Sequence, residues 1–140
     1  MINVVFDIDG VLIDVRRSFH DTIKNTVTYY LKHFLNIPIQ RQALVEEDIK
    51  LVKTLGGFND DWDLTASLLY YFVSLLPKTE KIDFRGIDNP LQLSNVLKRK
   101  VDFRQFDLYS KVNIDGFVRK IRGQGMSAVL KAVGEKNKHL

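Results

Sequence analysis

Two carboxylates stand close together near the start of the chain, in the string Asp7-Ile8-Asp9-Gly10. The apolar run Val4-Val5-Phe6 precedes them and predicts a short, fully buried strand. Side chains two residues apart in a strand lie on one face, so both carboxylates are expected to face the crevice at the strand's carboxyl end. Two carboxylates held this close repel each other unless a cation lies between them. The string therefore predicts a magnesium or phosphoryl-transfer site.

Gly10 and Asp14 follow the two carboxylates. Gly10 allows a backbone turn that a side chain would obstruct. Asp14 precedes a long amphipathic pattern, so it can be either a helix N-cap or a further member of the site. The alternative for the whole string is a solvated turn, which accounts for Asp14 but not for two acids at the end of an apolar strand.

The stretch from Val4 to Asp14, VVFDIDGVLID, resembles motif I of the haloacid dehalogenase (HAD) superfamily, the aspartate-nucleophile phosphatases and phosphomutases. The resemblance implies that Asp7 attacks phosphorus, that Asp9 is the general acid and base, and that both help to hold Mg²⁺. The fold it implies is α/β, with a Rossmann-like core and a helical cap.

A second stretch, GGFNDDWDLT from Gly56 to Thr65, resembles a cap-domain sequence of the same superfamily. This resemblance implies that Asn59, Asp60 and Trp62 project from the cap and bind substrate, together with Gly10 of the motif I loop. The alternative is that the acidic cluster only caps the helix that begins there, because such residues favour the positive end of a helix dipole.

Composition limits the classes of protein to which the chain can belong. Apolar and charged fractions of 45% and 27% are typical of a soluble globular domain. The absence of cysteine excludes a disulfide framework, a thiolate zinc site and a cysteine nucleophile. Neither a bilayer-spanning apolar run nor a signal-peptide pattern is present in the sequence, so we expect a cytoplasmic protein.

Charge is unevenly distributed along the chain. Residues 1–95 carry 10 basic and 13 acidic side chains (net −3), and residues 96–140 carry 11 and 4 (net +7), consistent with the overall +4. The basic segment could contact phosphate, nucleic acid or an acidic partner surface. A solvated helix face is the commoner origin of such a bias.

The remaining sequence predicts helices. Spacing of apolar residues places them over residues 15–35, 44–55, 60–76, 89–101, 113–121 and 127–133, with a loop over 77–89. The first helix carries a buried stripe made of Phe19, Ile23, Val27, Tyr30 and Phe34. His20 and His33 lie off this stripe, which predicts surface positions for both.

Later HAD motifs are not found after Leu76: the sequence has no buried run ending in Ser or Thr and no second acid pair after a strand. We therefore expect two parts, the first core strand with the motif I loop (1–14) and a helical cap region with following helices (15–140). The remainder of the core is expected to be absent, and the chain alone to be predominantly α.

The expected function is the nucleophile-bearing and cap portion of a Mg²⁺-dependent phosphohydrolase. It would act on a small phosphomonoester through an aspartyl phosphate, incompletely on its own, and a second polypeptide or second copy would complete the core. The alternative is a non-catalytic helical interaction module whose basic C-terminal third binds a partner chain or nucleic acid. Nucleic acid is the less expected partner.

Overall fold

The structure is a computed structural model that describes residues 4–5, 16–58, 60–77, 90–100 and 102–138. These residues form six α-helices and one π-helical turn. The elements in chain order are α1 (Arg16–Tyr29), the π turn (Tyr30–Phe34), α2 (Glu46–Lys53), α3 (Asp61–Ser74), α4 (Pro90–Lys100), α5 (Ile114–Val118) and α6 (Gly125–Lys138).

The expected α/β architecture is wrong, because the described residues are helical and contain no β-strand. Of the predicted first strand, Val4 and Val5 are described; they have no regular structure and are 67% and 92% exposed rather than buried. A lone apolar segment has no neighbouring strand to satisfy its backbone groups and cover its side chains. The expectation that this chain alone is predominantly α agrees with the helices observed.

Helix α1 and the π turn occupy most of the first predicted helix. Ile23, Val27 and Tyr30 are buried as expected. The π turn is closed by the Leu35 N–H, which donates to the Tyr30 carbonyl at 3.1 Å, and Asn36 follows with a positive φ of 57°. The wider turn shifts the buried face, so that Leu35 is buried while Phe34 is only partly covered.

Helix α3 is the central element, as its apolar second half predicts. It packs against both α1 and α6, and Leu64, Leu68 and Phe72 are fully buried in the core. Helix α2 packs against α5, burying Ile49 and Val52. Burial of these side chains orients the first turn of α3 relative to α1 and α2.

The loop before α3 is held by the first residue of α6. Gly56 and Gly57 both have left-handed φ values, 67° and 70°, and the Gly125 N–H donates to the Gly56 carbonyl at 2.6 Å. A Cβ atom on Gly125, whose own φ is 64°, would lie 2.3 Å from the Gly57 carbonyl oxygen. Only glycine fits here, and the loop that leads into α3 is fastened at this contact.

The C-terminal helices differ from their predicted bounds. Helix α6 continues through Gly134 to Lys138, so the predicted stop at Gly134 is wrong; Gly134 does not have the positive φ that a glycine stop uses. Helix α5 is shorter than predicted, and its N-cap is Asn113, whose Oδ1 accepts a hydrogen bond from the Gly116 N–H at 2.8 Å. The predicted loop lies mostly outside the described residues. No helix in the described part of the chain is both long and apolar enough to cross a membrane.

Candidate functional site

The residues predicted to do chemistry are only partly described. Asp7, Asp9, Gly10, Asp14 and Asn59 lie outside the described residues. Asp60 and Trp62 are described, and both lie at the N-terminus of α3.

Asp60 is the N-cap of α3. Its backbone is extended, with φ −155°, and its Oδ1 accepts a hydrogen bond from the Asp63 N–H at 2.8 Å. Such a cap satisfies a backbone donor that has no partner within the helix. The capping role that the sequence offered as an alternative is therefore present for Asp60.

Trp62 lies in the first turn of α3 and is 80% exposed. Trp62 is the only tryptophan in the chain. Tryptophan is on average a highly buried residue, so an indole left in solvent at a helix start is available to contact a ligand or partner. The core of the helical unit does not include it.

A histidine that the sequence placed on the surface is buried. His20 is 6% exposed, whereas Phe19 is 43% exposed. The series 20, 23, 27, 30 and the series 19, 23, 27, 30 both advance in steps of three and four residues, so spacing alone does not decide which neighbour faces inward. The predicted stripe contains Phe19, and the structure buries His20 instead. His33 is exposed, as expected.

Both ring nitrogens of His20 have a partner on α2. Nδ1 lies 2.5 Å from Glu46 Oε1, and Nε2 lies 3.3 Å from Lys53 Nζ. A lysine ammonium can only donate, so Nε2 accepts from it and Nδ1–H donates to the Glu46 carboxylate. This hydrogen-bond pattern assigns a neutral ring protonated at Nδ1.

The contacts continue from Lys53 to the start of α3. Lys53 Nζ lies 3.4 Å from Asp61 Oδ1, and Lys24 Nζ lies 3.9 Å from Glu46 Oε2. We call Glu46, His20, Lys53 and Asp61 the polar chain. It joins α1, α2 and the first residue of α3, directly before Trp62.

The pKa of Glu46 is lowered below its ordinary value of 4.5. The hydrogen bond from His20 is the largest cause of the lowered pKa, burial opposes it, and the charges of Lys50 and Lys24 lower the pKa further. A carboxyl whose pKa is lower in the folded than in the unfolded state stabilises the fold above its unfolded pKa. That contribution is lost as the pH falls through the folded pKa.

We therefore expect Glu46→Gln to reduce the acid sensitivity of the fold. Wild-type protein should lose stability relative to this variant as the pH falls from about 5 towards 3, measured by urea unfolding at a series of pH values. Glu47→Gln, at the next and exposed position of α2, is the matched control and should keep the wild-type pH dependence. Equal pH dependence in all three proteins would contradict the assigned hydrogen bond.

The residues that the structure describes contain no group of three His, Asp or Glu side chains able to hold a metal ion. Comparison with known proteins finds no matching family model, no similar curated protein and no solved structure with a similar fold. Membership of the HAD superfamily is therefore a hypothesis that rests on the residues of two stretches, 4–14 and 56–65.

Proposed function

We propose that this chain is the nucleophile-bearing and cap portion of a Mg²⁺-dependent phosphohydrolase that acts on a small phosphomonoester in the cytoplasm. Asp7 is the nucleophile and Asp9 the general acid and base, with Asn59, Asp60, Trp62 and Gly10 on the substrate side. The proposal concerns the chemistry of these residues and does not include the α/β fold, which the structure contradicts.

The observation that carries the proposal is the string Asp7-Ile8-Asp9-Gly10, and the structural feature that supports it is the polar chain. It fastens the first turn of α3, with Asp60 and Trp62, to His20 in the first half of α1. Asp9 and Arg16, where α1 begins, are seven residues apart, which limits their Cα separation to about 25 Å. A segment of this length would allow the carboxylates to approach Trp62.

The proposed reaction proceeds in two steps. An Asp7 carboxylate oxygen bonds to phosphorus as the bond to the leaving oxygen breaks, and Asp9 protonates that oxygen. Asp9 then removes a proton from a water molecule that attacks the aspartyl phosphate, which releases inorganic phosphate and restores Asp7. Each role needs a carboxylate at its position, and the Asp-x-Asp spacing supplies both.

Mg²⁺ suits this donor set, because carboxylate and carbonyl oxygens are the ligands it prefers. The Asp7 carboxylate and the Asp9 main-chain carbonyl would hold it. When bound, it would offset the negative charge of the transferring phosphoryl group.

A second polypeptide, or a second copy of this chain, is part of the proposal. The superfamily pattern also uses a phosphate-binding Ser or Thr, a Lys and later acids, none of which the sequence assigns. Loss of even one preorganised donor typically lowers the rate about 100- to 1,000-fold. The purified chain with Mg²⁺ should therefore release phosphate from an aryl phosphate negligibly, and activity should return when a polypeptide carrying the later superfamily motifs is fused or co-expressed.

The alternative, an interaction module that binds through its basic C-terminal third, is less well supported. Arg104 forms a two-pronged ion pair with Asp102, at 2.6 Å for the closer contact, and holds the pKa of that carboxyl down at about 2. Arg119 pairs with Asp115 at 2.9 Å. These carboxylates offset part of the positive charge. Inactivity of the purified chain, both alone and with the added polypeptide, together with salt-sensitive binding to nucleic acid would favour this alternative.

Trp62→Ala separates a recognition role from a structural one. Because the indole is exposed, we expect the free energy of unfolding to change by less than about 0.5 kcal/mol. Selectivity among phosphorylated substrates should change in the active assembly. Leu64→Ala, two positions along α3 and fully buried, should instead cost about 2–5 kcal/mol. A Trp62→Ala variant that loses as much stability as Leu64→Ala would remove Trp62 from the recognition surface.

A further inference from the structure

His20 lies against one face of α2, between side chains from its two ends. Glu46 is the first residue of α2 and Lys53 is the last, and residues seven apart lie on nearly the same side of a helix. The ring is buried, while the side chains of Glu46 and Lys53 are 31% and 42% exposed. A change in the proton count of the ring therefore acts directly on these two contacts.

Lys53 is shared between His20 and α3. Its ammonium lies 3.3 Å from His20 Nε2 and 3.4 Å from Asp61 Oδ1, and its side chain is 42% exposed. Asp61 directly precedes Trp62. Lys53 is thus the link between the buried ring and the turn that displays the exposed indole.

We propose that His20 is a positioning residue for Trp62. It acts through Lys53 and Asp61, so that the environment of the Trp62 indole depends on pH. The proposed function enters only in assigning Trp62 to substrate recognition. Among the side chains that the structure describes, the charged groups around the ring are Asp21 and Lys24 on α1, Glu46, Lys50 and Lys53 on α2, and Asp61 on α3.

Protonation of the ring disrupts its contact with Lys53 and leaves its contact with Glu46 in place. The neutral ring accepts from Lys53 at Nε2, but the protonated ring carries an N–H there that faces an ammonium of like charge. Lys53 can move because its side chain reaches water. Glu46 keeps its contact and gains an ion pair. Acidification therefore releases Lys53 from the ring and alters the charge beside Asp61 and Trp62.

The single tryptophan makes this coupling measurable in the whole chain without substrate. The indole N–H of Trp62 gives one side-chain cross-peak in a ¹H–¹⁵N spectrum. Across spectra recorded from about pH 8 to about pH 5, we expect this peak to shift in one step. His33→Gln should leave the step intact, since His33 is exposed and outside the polar chain.

Two variants should abolish the step. In His20→Gln the amide can donate to Glu46 and accept from Lys53, but it does not titrate in this range. Lys53→Met keeps the apolar stem and removes the ammonium. Lys50→Met is the matched control on α2, because Lys50 lies 3.7 Å from Glu46 and is not a partner of the ring in the described structure; it should retain the step.

A wild-type peak that does not move, or a step that persists in either folded variant, overturns the proposal. If circular dichroism shows that His20→Gln does not fold, Lys53→Met decides alone, since its site is partly exposed. Neither result bears on Asp7, and absence of phosphatase activity would leave the titration unchanged. The two proposals therefore fail separately.

Discussion

Replacement of Gly125 by alanine is expected to lower the free energy of unfolding by about 3 kcal/mol. A left-handed φ costs a residue other than glycine about 1–3 kcal/mol, and overpacking typically adds about 1–3 kcal/mol. Both apply here, because φ is 64° and the new Cβ would lie 2.3 Å from the Gly57 carbonyl oxygen. The atoms that the new Cβ would meet belong to the backbone of Gly57, so no flexible side chain can move aside to relieve the clash.

Gly134→Ala is the matched control within the same helix. No atom lies within 4 Å of the position a Cβ would take at Gly134, and alanine in a helix interior is favoured over glycine by about 1 kcal/mol. The two substitutions should therefore have opposite signs in urea unfolding followed by circular dichroism. A Gly125→Ala protein as stable as wild type would show that the contact between the loop and α6 is not formed.

Asp7→Asn is expected to abolish phosphate release in the active assembly. The amide cannot replace a carboxylate as the nucleophile, and loss of a covalent nucleophile costs on the order of 1,000-fold or more in rate. The assay is hydrolysis of an aryl phosphate at saturating Mg²⁺. Asp107→Asn, an exposed loop carboxylate, controls for the loss of one negative charge and should retain activity. Full activity of Asp7→Asn would remove the nucleophile assignment.

Helix positions were largely accessible from the sequence, because apolar spacing and capping residues act locally. Asp60 caps α3, as its residue type predicts. Leu68 and Phe72 are buried where the apolar half of α3 placed them. Such signals depend on neighbours within one or two turns, which the sequence contains directly.

Features that depend on contacts distant in sequence were missed. His20 rather than Phe19 is buried because α2 supplies its hydrogen-bond partners, Glu46 and Lys53. The fastening of Gly56 and Gly57 depends on Gly125, which lies at another helix start. The predicted strand is wrong because Val4 and Val5 lack a strand partner in the described structure.

The residues of the candidate site also differ in how they could be predicted from the sequence. The capping role of Asp60 was predicted from its residue type, and the structure confirms it. The binding roles of Asp60 and Trp62, like the roles of Asp7 and Asp9, rest on the resemblance, and the structure adds that Trp62 is exposed. The polar chain had no signal in the sequence beyond the ambiguous helical spacing around His20.

The most direct measurement is detection of phosphate on Asp7. The active assembly would be mixed with an aryl phosphate and Mg²⁺, quenched in acid during turnover, and digested for mass spectrometry. The account predicts a phosphorylated peptide that contains Asp7, which disappears in Asp7→Asn together with phosphate release. Turnover with the phosphoryl group on another residue, or undiminished turnover by Asp7→Asn, would contradict it.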